Sequence, residues 1–242
     1  MASLVIREPE SIYRAEGQIE RGTFRGRWHF SFDGYRDPEN ERFDTLRVFN
    51  DDTLSPGAVW PLHPHRDNEV VTYCAEGEFR HADERGKGGI LEKGWVQHTT
   101  VGRGMMHSEI NNLPDRPMRF IQMWFIPRAR GLEPAVEQKP VDRDERTNRL
   151  LVLVSGRNPD ALPLASDAEV LSCFLQENQS VRHPVPHARG AYLYVLEGGP
   201  VRVNGRIVPT LGAVRAEGEL GIEMTAEKDA ELLLADVSLG PA

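Results

Sequence analysis

The sequence predicts an all-β protein made of two similar barrels in tandem. Turn signals containing glycine recur at short intervals in both halves of the chain, and short runs rich in Val, Ile, Thr, Tyr and Phe lie between them. Many short strands at such spacing are typical of sandwiches and barrels. The 242 residues are enough for two domains of roughly 100–120 residues, and a weak internal repeat indicates that the two resemble each other.

The turn signals set the strand boundaries. In the first half they are Glu76-Gly77, Gly86-Lys87-Gly88-Gly89, Lys93-Gly94 and Gly102-Arg103-Gly104. In the second half they are Gly198-Gly199, Asn204-Gly205, Leu211-Gly212 and Gly218. The clearest hairpin spans residues 201–208, where alternating strands flank Asn204-Gly205, a pair that tolerates the positive φ angles of a tight hairpin turn.

The repeat suggests where the chain divides. Residues 70–77 resemble residues 191–198, since each is an apolar strand that ends in Glu-Gly and follows a segment with Pro and His. We expect an N-terminal barrel at residues 1–130, a linker at 131–148 and a C-terminal barrel at 149–242. Within the polar, Pro- and Gly-containing link, residues 142–150 are either a short helix or a charged connector.

Composition excludes several classes of protein. The formal charge is −8, from 37 acidic and 29 basic residues, which argues against a dedicated nucleic-acid binder. We interpret Arg21, Arg25 and Arg27 as solvated surface charges. No apolar run is long enough to cross a bilayer and no leader pattern is evident, so we expect a cytoplasmic protein without a membrane partner. Cys74 and Cys173 lie far apart in apolar runs and are expected to be buried free thiols.

Two histidine motifs predict a metal site in the first half. His63 and His65 are two apart, as are His107 and Glu109, and residues two apart on a strand point to the same face. If the two strands are neighbours, four ligands converge. Three imidazoles and a carboxylate suit Fe(II), Mn(II), Ni(II), Cu(II) or Zn(II) better than Ca(II) or Mg(II).

The remaining histidines carry less information. His29, His81 and His98 are each isolated and are expected to be core or surface side chains, with His98 the candidate for a supporting role near the metal. His183 and His187 are four apart, which does not place both on one strand face, and no histidine follows them. We therefore expect no second metal site.

Residues 25–135 resemble the pirin family, a two-barrel group within the cupin superfamily. The matching text is His-Pro-His-Arg at 63–66, Glu-Val-Val-Thr-Tyr at 69–73, Glu-Gly-Glu at 76–78, Gly-Trp-Val-Gln at 94–97, Gly-Arg-Gly-Met-Met-His-Ser-Glu at 102–109 and Gln-Met-Trp-Phe-Ile-Pro at 122–127. The resemblance implies two tandem cupin barrels (double-stranded β-helix or jelly-roll folds), with metal only in the first. Its ligands fall on His63, His65, His107 and Glu109, and not on Glu69.

The same resemblance implies a function. Bacterial proteins similar to this one are quercetin 2,3-dioxygenases, so we expect a metal-dependent dioxygenase that cleaves a flavonol with O₂. Glu109 is then a ligand or the base that takes the proton of the flavonol hydroxyl. We expect one divalent transition metal, Fe(II) ahead of Mn, Ni, Cu or Zn, in a monomer without nucleic-acid contacts.

Two alternatives stay open at this stage. Nuclear pirins resemble this chain and act as metal-dependent cofactors of transcription factors, which predicts a regulatory module that binds a protein partner without turnover. A metal-dependent isomerase or hydrolase of another small molecule is the third hypothesis, because the cupin fold does not fix the reaction.

Overall fold

A computed structural model describes residues 3–83, 88–218 and 221–240 of the chain. It divides into two compact units. One comprises Tyr13–Val141 with Leu162–Ser166, and the other comprises the chain up to Ile12, Asp142–Ala161 and the chain from Asp167 onward. The predicted turn at Gly86-Lys87 lies outside the described residues.

Strands dominate both units, apart from short 3₁₀ helices at Pro9–Ser11 and Asp144–Arg146. The first strands in chain order are β1 (Ser3–Arg7), β2 (Tyr13–Ile19), β3 (Gly22–Trp28), β4 (Leu46–Leu54), β5 (Val59–His65), β6 (Glu69–Glu76), β7 (Phe79–Asp83), β8 (Gly88–Leu91), β9 (Val96–Thr100), β10 (Met105–Asn111), β11 (Met118–Phe125) and β12 (Ala135–Lys139). The others are β13 (Leu151–Ser155), β14 (Leu162–Pro163), β15 (Ala168–Leu175), β16 (Ser180–His183), β17 (Arg189–Gly198), β18 (Val201–Val203), β19 (Arg206–Val208), β20 (Ala213–Glu217), β21 (Ile222–Ala226) and β22 (Ala230–Ser238).

The N-terminal barrel consists of a seven-stranded sheet and a four-stranded sheet. Their strand orders are β12-β9-β6-β11-β4-β3-β2 and β5-β10-β7-β8. Apolar side chains of both sheets form a common cluster, in which Cys74 and Phe120 of the larger sheet pack with Phe79 and Leu91 of the smaller one. Strand β10, which carries two of the predicted ligands, lies in the smaller sheet between β5 and β7.

The C-terminal barrel repeats this plan. Within this unit its sheets have the orders β1-β20-β17-β22-β15-β13 and β16-β21-β18-β19. Their shared core includes Leu193 and Leu232 from one sheet and Ile222 and Met224 from the other. Strands β6 and β17 carry the similar segments at 70–77 and 191–198. Each is the third strand in the order of its larger sheet. The predicted repeat and the two-barrel all-β fold are therefore confirmed.

The two units share the chain differently from the expected division. Strand β1 pairs with β20 of the C-terminal barrel, although it falls in the range 1–130. Strand β12 pairs with β9 of the N-terminal barrel, although it falls in the range 131–148 that we expected to be a linker. An extended segment can pair with the unpaired edge of either sheet. Its local sequence does not indicate which sheet that is.

Several local predictions agree with the structure. In the hairpin at 201–208, Asn204 and Gly205 have φ angles of 46° and 79°. Within the charged connector, only Asp144–Arg146 forms a helical turn. Cys74 and Cys173 are free and buried, and burial raises the pKa of Cys74 to about 11 and that of Cys173 to about 12. In the ranges that the structure describes, no helix has the length and apolar character needed to span a bilayer.

Candidate metal centre

Strands β5 and β10 bring the two histidine motifs side by side. They pair antiparallel, with His63 opposite His107 and His65 opposite Met105. Strand β5 is the edge of its sheet, a position that tolerates Pro61 and Pro64 because an edge strand can lack N–H donors. The strand alternation that the sequence predicted therefore places three imidazoles on one face of the sheet.

The three imidazoles converge on a common point. One ligand nitrogen from each of His63, His65 and His107 lies within 4.8 Å of the others. The Nε2 atoms of His63 and His107 are 3.2 Å apart. Two nitrogens bound at about 2.1 Å to one ion, roughly at right angles, are about 3 Å apart. The spacing therefore fits a shared metal ion.

Hydrogen bonds at the opposite ring nitrogens assign the tautomers. The Nδ1 of His63 lies 2.7 Å from the carbonyl oxygen of Pro61, which can only accept, so this nitrogen donates and Nε2 keeps its lone pair. The Nδ1 of His107 lies 2.8 Å from Nε2 of His81. If His107 donates there, its own Nε2 also carries a lone pair. Two facing lone pairs repel each other unless a cation lies between them.

His65 supplies an independent indication of a bound ion. Its Nε2 atom is buried and makes no hydrogen bond within the part of the chain that the structure describes. Buried polar atoms are nearly always paired, so an orphaned nitrogen in a histidine cluster needs an explanation. A metal ion would satisfy it, and the donor set therefore fits a transition metal.

Two histidines of the cluster, His65 and His107, are held neutral, as ligands must be. Burial, with a smaller contribution from the neighbouring His63, lowers the pKa of His65 to about 4. Burial, followed by the nearby His81, His63 and His65, lowers the pKa of His107 to about 2. At neutral pH both rings present lone pairs without first losing a proton.

Glu109 lies on the same strand face but outside the close histidine group. Between His107 and Glu109 the pairing with β5 shifts register, so that Glu109 lies opposite Trp60, and such bulges redirect side chains. The Nε2 of Gln122 donates to Oε1 of Glu109, and the indole N–H of Trp124 donates to Oε1 of Gln122 at 2.7 Å. The carboxylate is thus oriented by β11 beside the cluster.

The pKa of the Glu109 carboxyl is raised overall, although two of its neighbours oppose the shift. Burial raises the pKa of its carboxyl, while His63 and the hydrogen bond from Gln122 lower it. Asp52 lies in the same interior, where burial raises its pKa well above the usual value despite a hydrogen bond from Trp28. The interior next to the histidines is therefore a poorly solvated, acid-containing environment.

His81 is one of three residues beside the predicted ligands that the sequence analysis did not indicate. It lies on β7, directly opposite Glu109 on β10, is buried, and contacts Nδ1 of His107. Burial lowers the pKa of His81 to about 4, against an opposing influence from Asp83. Gln122 and Trp124 were also missed, although polar Gln122 among the apolar residues of 120–125 was a usable signal.

The structure places the other histidines away from the cluster. His98 lies opposite Val71, one residue out of phase with the face that carries Gln122 and Trp124, and its Nε2 contacts Oε2 of buried Glu69 at 2.8 Å. His98 is therefore a buried, paired side chain, as expected for a core residue, and the structure gives no support to a role for it beside the metal. His29 is buried against the ring of Phe49, as expected for a core side chain.

A cleft of about 630 Å³ opens beside the start of β10. Met105, which shares a strand face with His107, lines it together with Val136 and Gln138 of β12. Its rim is charged and contains Asp83, Arg103, Glu133 and Glu137. The volume is in the range of small-molecule sites, but the lining is more charged than is usual for an apolar ligand.

Comparison with known proteins identifies the family. A family model described as Pirin matches residues 12–125, and one described as Quercetinase C-terminal cupin domain matches residues 151–237. A relative from Pseudomonas aeruginosa, provisionally named quercetin 2,3-dioxygenase, is 39% identical over 92% of this chain and 96% of its own length. The chain belongs to the pirin family. Sequence resemblance had indicated the same family.

Other pirin relatives extend the comparison. A protein of Escherichia coli K12 named quercetin 2,3-dioxygenase is 32% identical over 87% of this chain and 90% of its own. The crystal structure of the bacterial pirin YhhW from Escherichia coli in complex with nickel(II) has a TM-score of 0.89 and 27% identity, and the match covers 98% of this chain and 100% of that one. The two-barrel pirin fold is thus shared along nearly the whole chain.

Proposed function

We propose that this pirin holds one divalent transition metal through His63, His65 and His107, with Glu109 as the fourth ligand. The observation that carries the proposal is the convergence of three imidazoles, one of which has a buried and unpartnered Nε2. The nickel(II) complex of YhhW supports it. Fe(II) is our first candidate, and Mn, Ni, Cu and Zn share the same ligand preferences.

The reaction that we propose is the oxygenative cleavage of a flavonol such as quercetin, in line with the names of the relatives. When bound, the metal supplies Lewis acidity and, if redox-active, one-electron chemistry towards O₂. When it is released from the metal, Glu109 acts as the base that accepts the proton of the flavonol 3-hydroxyl at Oε2. Gln122 fixes the opposite oxygen of the carboxylate, so the accepting lone pair is oriented, and burial strengthens the base by raising its pKa.

The test begins with metal-free protein. Chelated protein is reconstituted anaerobically with Fe(II), Mn(II), Ni(II), Cu(II) or Zn(II) in turn, and O₂ consumption and loss of quercetin absorbance are then followed together. We expect at least one redox-active metal to give stoichiometric loss of both. Absence of O₂ consumption with every metal would reject the dioxygenase proposal.

Variants separate the metal site from the reaction. His65→Ala should lose both bound metal and turnover, whereas the exposed His187→Ala, in the other barrel, should lose neither. Glu109→Gln retains the shape but not the basicity of the carboxylate, so it should lower turnover more than metal content. If Glu109→Gln and the parent turn over equally, the base assignment is wrong.

The charged rim of the cleft favours a second candidate function. Arg103 and Glu133 form an ion pair at 2.6 Å on this rim, and charged groups of that kind suit a polar protein surface better than a three-ring flavonol. The alternative is a module that binds a protein partner in its metal-loaded state. Metal-dependent capture of one defined partner, in protein that shows no turnover with any metal, would favour it.

A further inference from the structure

A second cavity lies on the N-terminal barrel, on the sheet face opposite the metal cluster. It measures about 660 Å³ and follows strands β2, β3 and β4. Its charged lining consists of Arg14, Arg25, Arg27 and Glu16. Arg27 lies opposite Asp51, and Asp51 is one residue out of phase with Asp52, which faces the interior beside Glu109. We refer to this cavity as the arginine groove.

The arginines of the groove lack protein partners. Within the described residues, Arg14, Arg25 and Arg27 form no hydrogen bond or ion pair, and the Nε of Arg27 is a buried atom without any acceptor. Asp51 forms a bidentate ion pair with Nε and an Nη of Arg119 at 2.7 and 2.6 Å, and it forms no hydrogen bond with Arg27. A guanidinium with a buried, unpaired N–H is costly unless something binds it.

The pairing of β2 with β3 adds electrostatic repulsion between two arginines of the groove. Arg14 on β2 lies directly opposite Arg27 on β3, and like charges directly opposite each other in an antiparallel pair destabilise it. Arg21, from the same basic stretch, is exposed and pairs with Glu20. Arg14 and Arg25 are exposed as well, and Arg25 lies directly opposite Glu16. Our interpretation of the basic residues as solvated charges therefore holds for Arg21 and Arg25, but it does not explain half-buried Arg27 with its unpaired Nε.

We propose that the arginine groove binds a small phosphorylated molecule through its phosphate group. Three arginines and Glu16 give the lining a net charge of about +2, which matches the roughly −1.5 to −2 charge of a phosphate monoester and exceeds that of a single carboxylate. Guanidinium groups bind phosphate oxygens bidentately. The hydroxyls of Thr23, Thr53 and Ser55 also line the groove and add hydrogen-bonding groups. The protein's charge of −8 disfavours a polymeric anion such as nucleic acid.

Calorimetric titration of the full-length protein at low ionic strength tests the proposal. The ligands are inorganic phosphate, glycerol 3-phosphate and, as a carboxylate control, acetate. The titrations are made on metal-loaded protein and on His65→Ala, because phosphate can also bind a metal. We expect saturable phosphate-monoester binding in both proteins and none with acetate. Binding that requires the metal, or acetate binding of equal strength, would overturn the proposal.

Arginine variants then locate the site. Arg25→Gln and Arg27→Gln should each weaken phosphate binding about tenfold or more, since each removes a charge-assisted contact, while Arg21→Gln serves as the matched control and should not. Arg14→Gln should abolish the thermal stabilisation by phosphate yet leave the phosphate-free protein as stable as the parent or more so, because it relieves the repulsion with Arg27. Equal loss of affinity in Arg21→Gln would show diffuse charge attraction instead of a site.

Discussion

At the scale of single residues, His107 uses both of its ring nitrogens. Nε2 faces the histidine cluster and Nδ1 faces His81. A hydrogen bond at the far nitrogen fixes the tautomer and the ring orientation of a ligating histidine. His81 is therefore a positioning residue in our account, since it acts on the metal through His107.

This role predicts how substitutions at His81 affect metal binding. His81→Leu removes the acceptor and should weaken affinity for the metal by about 10- to 100-fold. His81→Gln keeps an acceptor oxygen for the Nδ1–H of His107 and should recover much of that loss. Competition with a chromophoric chelator measures the affinities. A merely structural role would make both variants equally weak, and His187→Leu controls for adventitious binding to histidine.

The contrast between the ligands and His81 shows what sequence can reveal about the site. The pair His63 and His65 could be predicted because residues two apart on a strand share a face whatever the rest of the chain does. His81 could not, because its role depends on β7 lying next to β10. That pairing is non-local, and it brings together residues 26 positions apart.

At the scale of elements, one buried acid joins three strands of the C-terminal barrel. Asp236 on β22 contacts Nε2 of His183, the last residue of β16, at 2.6 Å and accepts hydrogen bonds from Arg189 at the start of β17. Burial by itself would raise the pKa of Asp236, but the hydrogen bonds from His183 and Arg189 outweigh it and lower the pKa. The ionised carboxylate is thus stabilised by folding.

A pH dependence of stability follows from this lowered pKa. Because the folded pKa lies below the unfolded value of about 3.9, the contribution of Asp236 is fully present above that pH and is lost as the pH falls through the folded pKa. Asp236→Asn should cost about 3 kcal/mol of unfolding free energy at pH 7, as removal of one partner from a buried charge pair does. Urea unfolding at pH 7 and pH 3 measures the difference.

The control for this prediction is Asp160→Asn, at an exposed position in the same barrel. It should leave stability unchanged at both pH values. The deficit of Asp236→Asn should shrink at pH 3, because the wild-type carboxylate is itself becoming protonated there. A deficit of the same size at pH 3 would mean that side-chain packing, and not charge, explains the effect.

At the scale of the whole molecule, two copies of one architecture have diverged at one strand pair. In the N-terminal barrel His63 of β5 lies opposite His107 of β10, whereas in the C-terminal barrel His183 of β16 lies opposite Ile222 of β21. Ile222 and its neighbour Met224 belong to the apolar core. The absence of any histidine after His187 already predicted that the second barrel differs from the first at these strands. The pairing of β1 with β20 of the C-terminal barrel could not be predicted from the local sequence.

This asymmetry predicts where metal should stabilise the chain. A ligand that binds only the folded form adds about 2.7 kcal/mol of protection at 100 times its dissociation constant. Amide hydrogen exchange of β5 and β10 should therefore slow by up to about 100-fold when metal is added, because opening of these strands releases the ion. Exchange of β16 and β21 should change far less, and His65→Ala should abolish the effect. Equal slowing in β16 and β21 would contradict a site confined to the first barrel, since the residue opposite His183 there is Ile222, which offers a metal nothing to bind.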